Sequence, residues 1–205
     1  MMCQAKRAGY ERQHTALDLH DRKCDLNLAR LHKAGIQGVR TVSGDACELD
    51  EVLTSFDAML GEPVKFDTVF IDAPCSGTGT MRRHPEIPWR LTENDVTTEL
   101  PRLQLAMLKE AAVRVAAGGE LIYATCSVFD EENTQVVDAF LASPKGAGFT
   151  MAPLSGAQIL QLPDFEQAKK LVSVRQNDRG LFQSVPVNAD SYDGHFCARL
   201  VRQSS

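Results

Sequence analysis

Residues 66–71, FDTVFI, form a nearly unbroken apolar run that stops abruptly at DAPCSGTG, residues 72–79. A short run of this kind suits a strand buried on both faces, which happens in sheets covered by helices on either side. The sequence after it holds a proline, a cysteine and two glycines, so the chain turns sharply where the strand ends. A chain of 205 residues with 43% hydrophobic content is long enough to bury one sizeable core around such a sheet. Residues 1–205 are therefore expected to form a single domain.

The rest of the chain alternates in the same way. HTALDLH reads as a strand reaching Leu17, and DRKCDLNLARLHKAG as a helix with Asp21 as N-cap and Gly35 as its stop. GVRTV supplies a further strand before SGDACELDE. From Asp95 to Ala117, Leu100, Leu103, Met107, Leu108, Ala111 and Val115 recur at helical spacing, and Gly118–Gly119 would end that helix. ELIYAT is the next strand and delivers TCS to its carboxyl end. DEENTQVVDAFLAS reads as a helix whose acidic start suits its dipole. Residues 144–193 read as irregular and turn-rich, and GHFCARLV as a closing strand after Asp193-Gly194. The pattern predicts a mostly parallel, doubly wound α/β sheet.

Ligands of such sheets bind beyond the carboxyl ends of the strands. Asp18, Asp45, Asp72, Cys75 and Cys126 all fall there. Packing alone would bury the thiols and scatter the carboxylates, so this gathering points to chemistry. Cys3, Cys24, Cys47 and Cys197 have no such setting and are expected to be structural. The six cysteines lie far apart with no C-x-x-C pair, which argues against a structural zinc site or a dithiol centre and for reduced thiols without metal. No apolar stretch approaches the ~20 residues that cross a bilayer, and the opening residues lack a signal peptide's apolar core, so a cytoplasmic protein is expected. The net charge of −5 excludes a whole-molecule electrostatic grip on nucleic acid, yet MRRHPEIPWR gathers Arg82, Arg83, His84 and Arg90 beside the cysteine loop. Arg82, Arg83 and His84 are candidate phosphate contacts; Arg22 and Lys23 read as solvated helix charges.

FDTVFIDAPCSGTGTMRRHPEIPW followed by GGELIYATCSVFDEEN closely resembles the Sun/RsmB-type RNA 5-methylcytosine methyltransferases, over about residue 15 to the C-terminus. The resemblance implies a Rossmann-like class I methyltransferase sheet, S-adenosylmethionine as cofactor and RNA, expected to be ribosomal RNA, as substrate. Carbon 5 of cytosine is a poor nucleophile until a thiolate adds to carbon 6, and release then needs a second group. The family gives attack to the cysteine of TC, here Cys126, and release to the cysteine of PC, here Cys75. DNA cytosine methyltransferases attack with their PC cysteine, so the assignment rests on family type. Asp72 is implied near the methionine end of the cofactor and the target base, Asp18 at the ribose hydroxyls and Asp45 at the adenine side. Pro74 would restrict the approach to Cys75, while Gly77 and Gly79 would let the backbone come close to base and cofactor.

The family's glycine-rich cofactor loop, similar to PGGKT, has no match in the sequence. MMCQAKRAG looks like the helix that follows it, so the chain is expected to start downstream of that loop, without the first central strand and without the family's N-terminal RNA-binding region. Such a chain is expected to fold marginally and to bind S-adenosylmethionine poorly. Two other readings stand beside an RNA methyltransferase: an inactive remnant that binds RNA or a partner protein, and a methyltransferase of the same fold acting on DNA or a small molecule. The paired cysteines disfavour the last, because most methyl acceptors need no covalent activation.

Overall fold

The computed structural model describes residues 14–157, 165–186 and 192–204. Cys3 and the helix expected at MMCQAKRAG lie outside them. The chain divides into two compact units, Met1–Val64 with Gln158–Gln167, and Lys65–Ala157 with Ala168–Ser205.

In the first unit, β1 (His14–Asp18) pairs in parallel with β2 (Val39–Ser43), Asp18 opposite Ser43. Helix α1 (Asp21–Lys33) connects them, and the short helices α2 (Leu49–Val52) and α3 (Thr54–Leu60) follow β2. The N-cap of α1 is His20, whose N–H is held by Asp18 Oδ1 at 3.0 Å, and Asp21 is the first helical residue. Asp21 thus acts on the helix dipole from inside the first turn. Gly35 follows the helix with φ 71°, as a stop should. The core here is thin: Cys24, Ile36 and Leu53 are its buried hydrophobic side chains among the described residues. The Cys24 thiol donates to Val42 O at 3.3 Å, in keeping with a structural role.

The second unit holds the larger sheet, in the order β3 (Phe66–Asp72), β4 (Val115–Thr125), β7 (His195–Arg202), β5 (Phe149–Ala152), with β6 (Phe182–Ser184) also on β7. Only β3–β4 is parallel in this sheet; β7 runs antiparallel to β4, β5 and β6. The expected parallel character therefore holds for β1–β2 and β3–β4 and gives way once the chain returns through hairpin-like connections.

Four other expectations are corrected. β3 is not buried on both faces: Ile71 is 7% exposed, but Phe70, on the opposite face by strand alternation, is 50% exposed. Among the described residues of the second unit β3 has a ladder partner on one edge, whereas β4, paired on both edges, buries Leu121, Ile122 and Tyr123 in succession. The helix α5 spans Leu100–Arg114 after a π-turn at Asp95–Glu99, and it stops before Val115 because 115–120 already runs into β4. Residues 144–193 are not irregular throughout, since they include β5, α7 (Glu166–Arg175) and β6. Helix α6 is Thr134–Leu141, so the acidic run 130–132 precedes it.

α5 and α6 supply Leu108, Ala111, Val136, Val137 and Phe140 to the core, with Tyr123 edge-on to Phe196 and Phe140 edge-on to Phe149. Within the sheet, Glu120 is buried and accepts from Arg199 Nε at 2.7 Å and Thr68 Oγ1 at 3.1 Å. Among the described residues no helix is long and apolar enough to cross a membrane, and no group of three or more His, Cys, Asp or Glu could hold a metal ion.

Candidate functional site

Asp72 and Ala124 are partners in the β3–β4 register, so the loops that leave these strands start side by side. Ala73 N–H bonds Ala124 O at 3.0 Å and extends the pairing by one residue. The chain then reaches Cys75 on one loop and Cys126 on the other, with their Sγ atoms 3.3 Å apart. The second unit thus brings together Asp72, Cys75 and Cys126 at the carboxyl ends of two adjacent strands.

Once Cys126 ionises, the two thiols hold one proton between them. The hydrogen bond from Cys75 lowers the Cys126 thiol from the ordinary range to about 7, against burial and the nearby Asp72 charge, which oppose ionisation. The same hydrogen bond, with burial added, holds Cys75 well above the ordinary range. Cys126 is the sulfur that carries the charge and Cys75 the one that keeps the proton.

What holds the loops together was not visible in the sequence. Glu132, fully buried, takes Ser127 Oγ–H at 2.6 Å on Oε1, and on Oε2 takes Ser76 N–H at 2.8 Å and Gln104 Nε2 at 3.0 Å. One carboxylate thereby ties the PCS loop, the TCS loop and α5 to each other. Its own carbonyl accepts Tyr123 Oη–H at 2.6 Å, and Gln104 also bonds Pro74 O at 2.9 Å. Ser76, Thr78 and Ser127 hydroxyls lie within 3.4 Å of one another, and Asn133 receives Thr125 Oγ1–H at 2.6 Å while donating to Ser127 O at 3.0 Å. In the sequence EEN reads as the acidic start of a helix; the burial of Glu132 and Asn133 is set by tertiary contacts that local pattern does not carry.

The glycines serve the same lacing. Gly77 has φ 73°, where an L side chain is strained. A Cβ on Gly79 would lie 2.2 Å from Gly194 O and 2.8 Å from Cys126 O. Gly79 N–H donates to Cys126 O and Gly194 N–H to Gly79 O, both at 2.8 Å. At Gly79 the absence of a side chain admits this close approach to the protein's own backbone.

The first unit carries Asp18 and Asp45 at the carboxyl ends of β1 and β2. Asp18 Oδ1 also lies 3.8 Å from Lys23 Nζ, so this lysine is a neighbour of the carboxylate as well as a helix charge. Asp45 Oδ1 accepts Cys47 N–H at 2.8 Å. Both are acidic side chains at strand ends, with oxygens of a kind that can accept hydroxyl or amine hydrogens. The two carboxylates belong to the first unit and the thiol cluster to the second.

The basic segment is paired within the protein. Arg83 makes a two-nitrogen contact with Asp193, Arg82 lies 3.8 Å from the same carboxylate, and His84 Nδ1 is 3.4 Å from Glu86 Oε1. Phosphates reaching these three side chains must share them with Asp193 and Glu86. Arg82 also stands at the rim of a groove of about 220 Å³ with Thr78, Gly79, Met81, Val128, Val185 and Pro186.

Residues 6–201 match the family described as 16S rRNA methyltransferase RsmB/F. The chain belongs to this family. Among curated relatives, ribosomal RNA small subunit methyltransferase B of Enterobacter sp. (strain 638) is 34% identical over 139 residues, which are 68% of this chain and 27% of that protein. Its namesake in Klebsiella pneumoniae (strain 342) is 47% identical over 78 residues, 38% of this chain and 18% of the relative. The chain thus spans only about a fifth to a quarter of the curated relatives it matches. Among solved structures, PH0851 aligns over 93% of this chain and 37% of its own, with 28% identity and a TM-score of 0.71. NSun6 from Pyrococcus horikoshii with SFG aligns over 99% and 44%, with 20% identity and a TM-score of 0.70, a likeness of fold. The fold is the Rossmann-like one of S-adenosylmethionine-dependent methyltransferases, and the RsmB/F family is of that type.

The proton-sharing pair has a direct consequence for reactivity. Iodoacetamide should modify Cys126 well before Cys75, with a rate that rises through about pH 7 and levels off above it. In a Cys75→Ala chain the Cys126 midpoint should climb toward the ordinary ~8.5. At pH 7 the thiolate fraction would fall by more than tenfold, but the more basic thiolate is also more nucleophilic, so the net slowing is about three- to fourfold. Peptide mass spectrometry of the alkylated chain measures both; an unmoved midpoint in the Cys75→Ala chain would refute the shared proton.

Proposed function

We propose that this chain is the catalytic region of an RNA cytosine-C5 methyltransferase acting on ribosomal RNA through a covalent thiol–cytosine intermediate. The observation that carries the reading is the Cys75–Cys126 contact at the carboxyl ends of β3 and β4, with Cys126 as the acidic partner. Family membership supports methyl transfer to ribosomal RNA as the setting.

Cys126 thiolate adds to carbon 6, and the electron pair of the C5–C6 double bond moves into the ring as an enamine-like system. The Asp72 carboxyl group, at the same rim, interacts with the base near N3 and disperses that charge. S-adenosylmethionine, when bound, supplies the methyl group that carbon 5 accepts; Asp18 and Asp45 are the residues that would hold its ribose and adenine. Once Cys126 is a thioether it no longer accepts the Cys75 hydrogen bond, and the main cause of the raised Cys75 pKa is gone. Cys75 can then ionise and take the proton from carbon 5 as the C6–S bond breaks, which restores the aromatic ring and returns Cys126 as thiolate. Arg82, Arg83 and His84 contribute phosphate contacts in competition with their carboxylate partners.

RNA carrying 5-fluorocytosine tests the covalent route, since fluorine at carbon 5 cannot leave as a proton does. In a chain joined to a glycine-rich cofactor loop of the family's kind, the methyl donor and this RNA should yield a denaturation-stable adduct whose modified peptide contains Cys126. Methyl transfer with no adduct would exclude covalent catalysis.

A further inference from the structure

Trp89 is the sole tryptophan of the chain and is 89% exposed. It sits on α4 (Ile87–Arg90), a single turn, yet it is rigidly tied to the thiol loop. Ile87 beside it is buried, and its Cδ1 lies 3.3 Å from where a Cβ on Gly77 would stand. Arg83 and His84 N–H both bond Thr80 O, at 2.9 and 3.1 Å, Ile87 N–H bonds His84 O at 3.1 Å, and Trp89 N–H bonds Glu86 O at 3.2 Å. A wound, hydrogen-bonded segment thus runs from Gly77 to the indole. An indole held out in this way buries almost nothing within the chain, so it contributes little to folding.

Its surroundings are cationic in an otherwise acidic chain. The side chains of Arg82, Arg83, His84 and Arg90 are 47%, 56%, 50% and 69% exposed, and Met81 is 38% exposed. The carboxylates set against them are Asp193 and Glu86. A flat aromatic face interleaved with long exposed cations matches a single-stranded nucleic acid, whose bases stack while its phosphates take the charge. Three arginines against two carboxylates leave an excess of positive charge around the indole, which favours a polyanion as the occupant.

We infer that Trp89 is a stacking platform for an unpaired nucleobase close to the target cytosine, with Arg90 and the Arg82–Arg83 pair at the flanking phosphates. The inference rests on the RNA methyltransferase reading and adds the substrate's form: the cytosine is presented on an unpaired strand.

Because Trp89 is the only indole, its fluorescence reports the contact directly in the 205-residue chain. An unstructured cytidine-containing oligoribonucleotide should quench it, whereas an abasic ribose-phosphate oligomer of equal length should bind more weakly and leave emission unchanged. Trp89→Ala should weaken RNA binding, read by anisotropy at low salt, by about tenfold with an unaltered melting temperature, and Trp89→Phe should recover most of the loss. If RNA binds the wild-type chain but Trp89→Ala changes affinity less than twofold, the platform is wrong and the methyltransferase reading survives. No RNA binding by the wild-type chain would count against both. Emission that shifts with protein concentration in the absence of RNA would overturn the inference in favour of self-association.

Discussion

Replacing Cys126 with alanine is expected to abolish methyl transfer and covalent capture together, while replacing Cys75 is expected to leave RNA bonded to protein. The contrast follows from which sulfur carries the charge. Cys126, lowered to about 7, is substantially thiolate at neutral pH, and without it no nucleophile reaches carbon 6. Without Cys75 the attack is slowed only a few-fold, because the loss of thiolate is partly offset by higher nucleophilicity. Release suffers far more, since no group is left to take the proton from carbon 5, and removal of a positioned base costs about 10²- to 10⁴-fold. Attack that outpaces release by such a factor accumulates adduct. Labelled RNA and methyl donor on a denaturing gel, in a chain joined to a glycine-rich cofactor loop, reads both variants. Adduct with Cys126→Ala and none with Cys75→Ala would reverse the roles.

The parts of this site legible in the sequence are those set by strand ends. FDTVFI and ELIYAT announce β3 and β4 by composition, and parallel pairing then forces the residues after each strand to one rim, so Asp72, Cys75 and Cys126 could be grouped before any coordinates. The same logic placed Asp18 and Asp45. What the pattern could not show is burial imposed from a distance. Phe70 reads as core but is half exposed, because exposure of a strand face depends on what covers it. Glu132 reads as a solvated helix start but is buried, because its three donors come from residues 28 to 56 positions away or across a turn. Gly118–Gly119 marked a helix end three residues late, since the β4 ladder reaches back to Val115. Arg82 and Arg83 read from the sequence as candidate phosphate contacts, and only the fold reveals Asp193 beside them. The serines directly after PC and TC, together with the acidic run 130–132, are the signal of the lacing, but S, T and E in turns are too common to single out.

Glu132 carries the other large expected effect. The residue is fully buried, so its carboxyl oxygens depend on their three donors, and the donors in turn depend on them. In Glu132→Ala, Ser127 Oγ–H can turn toward Ser76 or Thr78, and Gln104 keeps Pro74 O, but the Ser76 N–H loses its partner. An unsatisfied buried donor costs about 1–3 kcal/mol, and the space left by the side chain adds to it, for a total of ~3 kcal/mol. For a chain of this size that lowers the melting temperature by about 6–12 °C. Glu132→Gln keeps the volume and one acceptor oxygen, yet its amide group faces donors, so it should fall between wild type and alanine. The loss should also reach the thiols. Ser76 and Ser127 each follow a cysteine directly, and once their common anchor is gone the loops can part and the 3.3 Å sulfur contact with them. Cys126 should then titrate nearer the ordinary ~8.5 in alkylation rate against pH, as in Cys75→Ala, although neither sulfur has been touched. Calorimetry and the alkylation profile separate the two consequences. A Glu132→Ala chain that melts within 2 °C of wild type, at about 0.5–1 kcal/mol, and keeps its midpoint near 7 would mean that the backbone pairing of Gly79 with Cys126 holds the loops without the carboxylate.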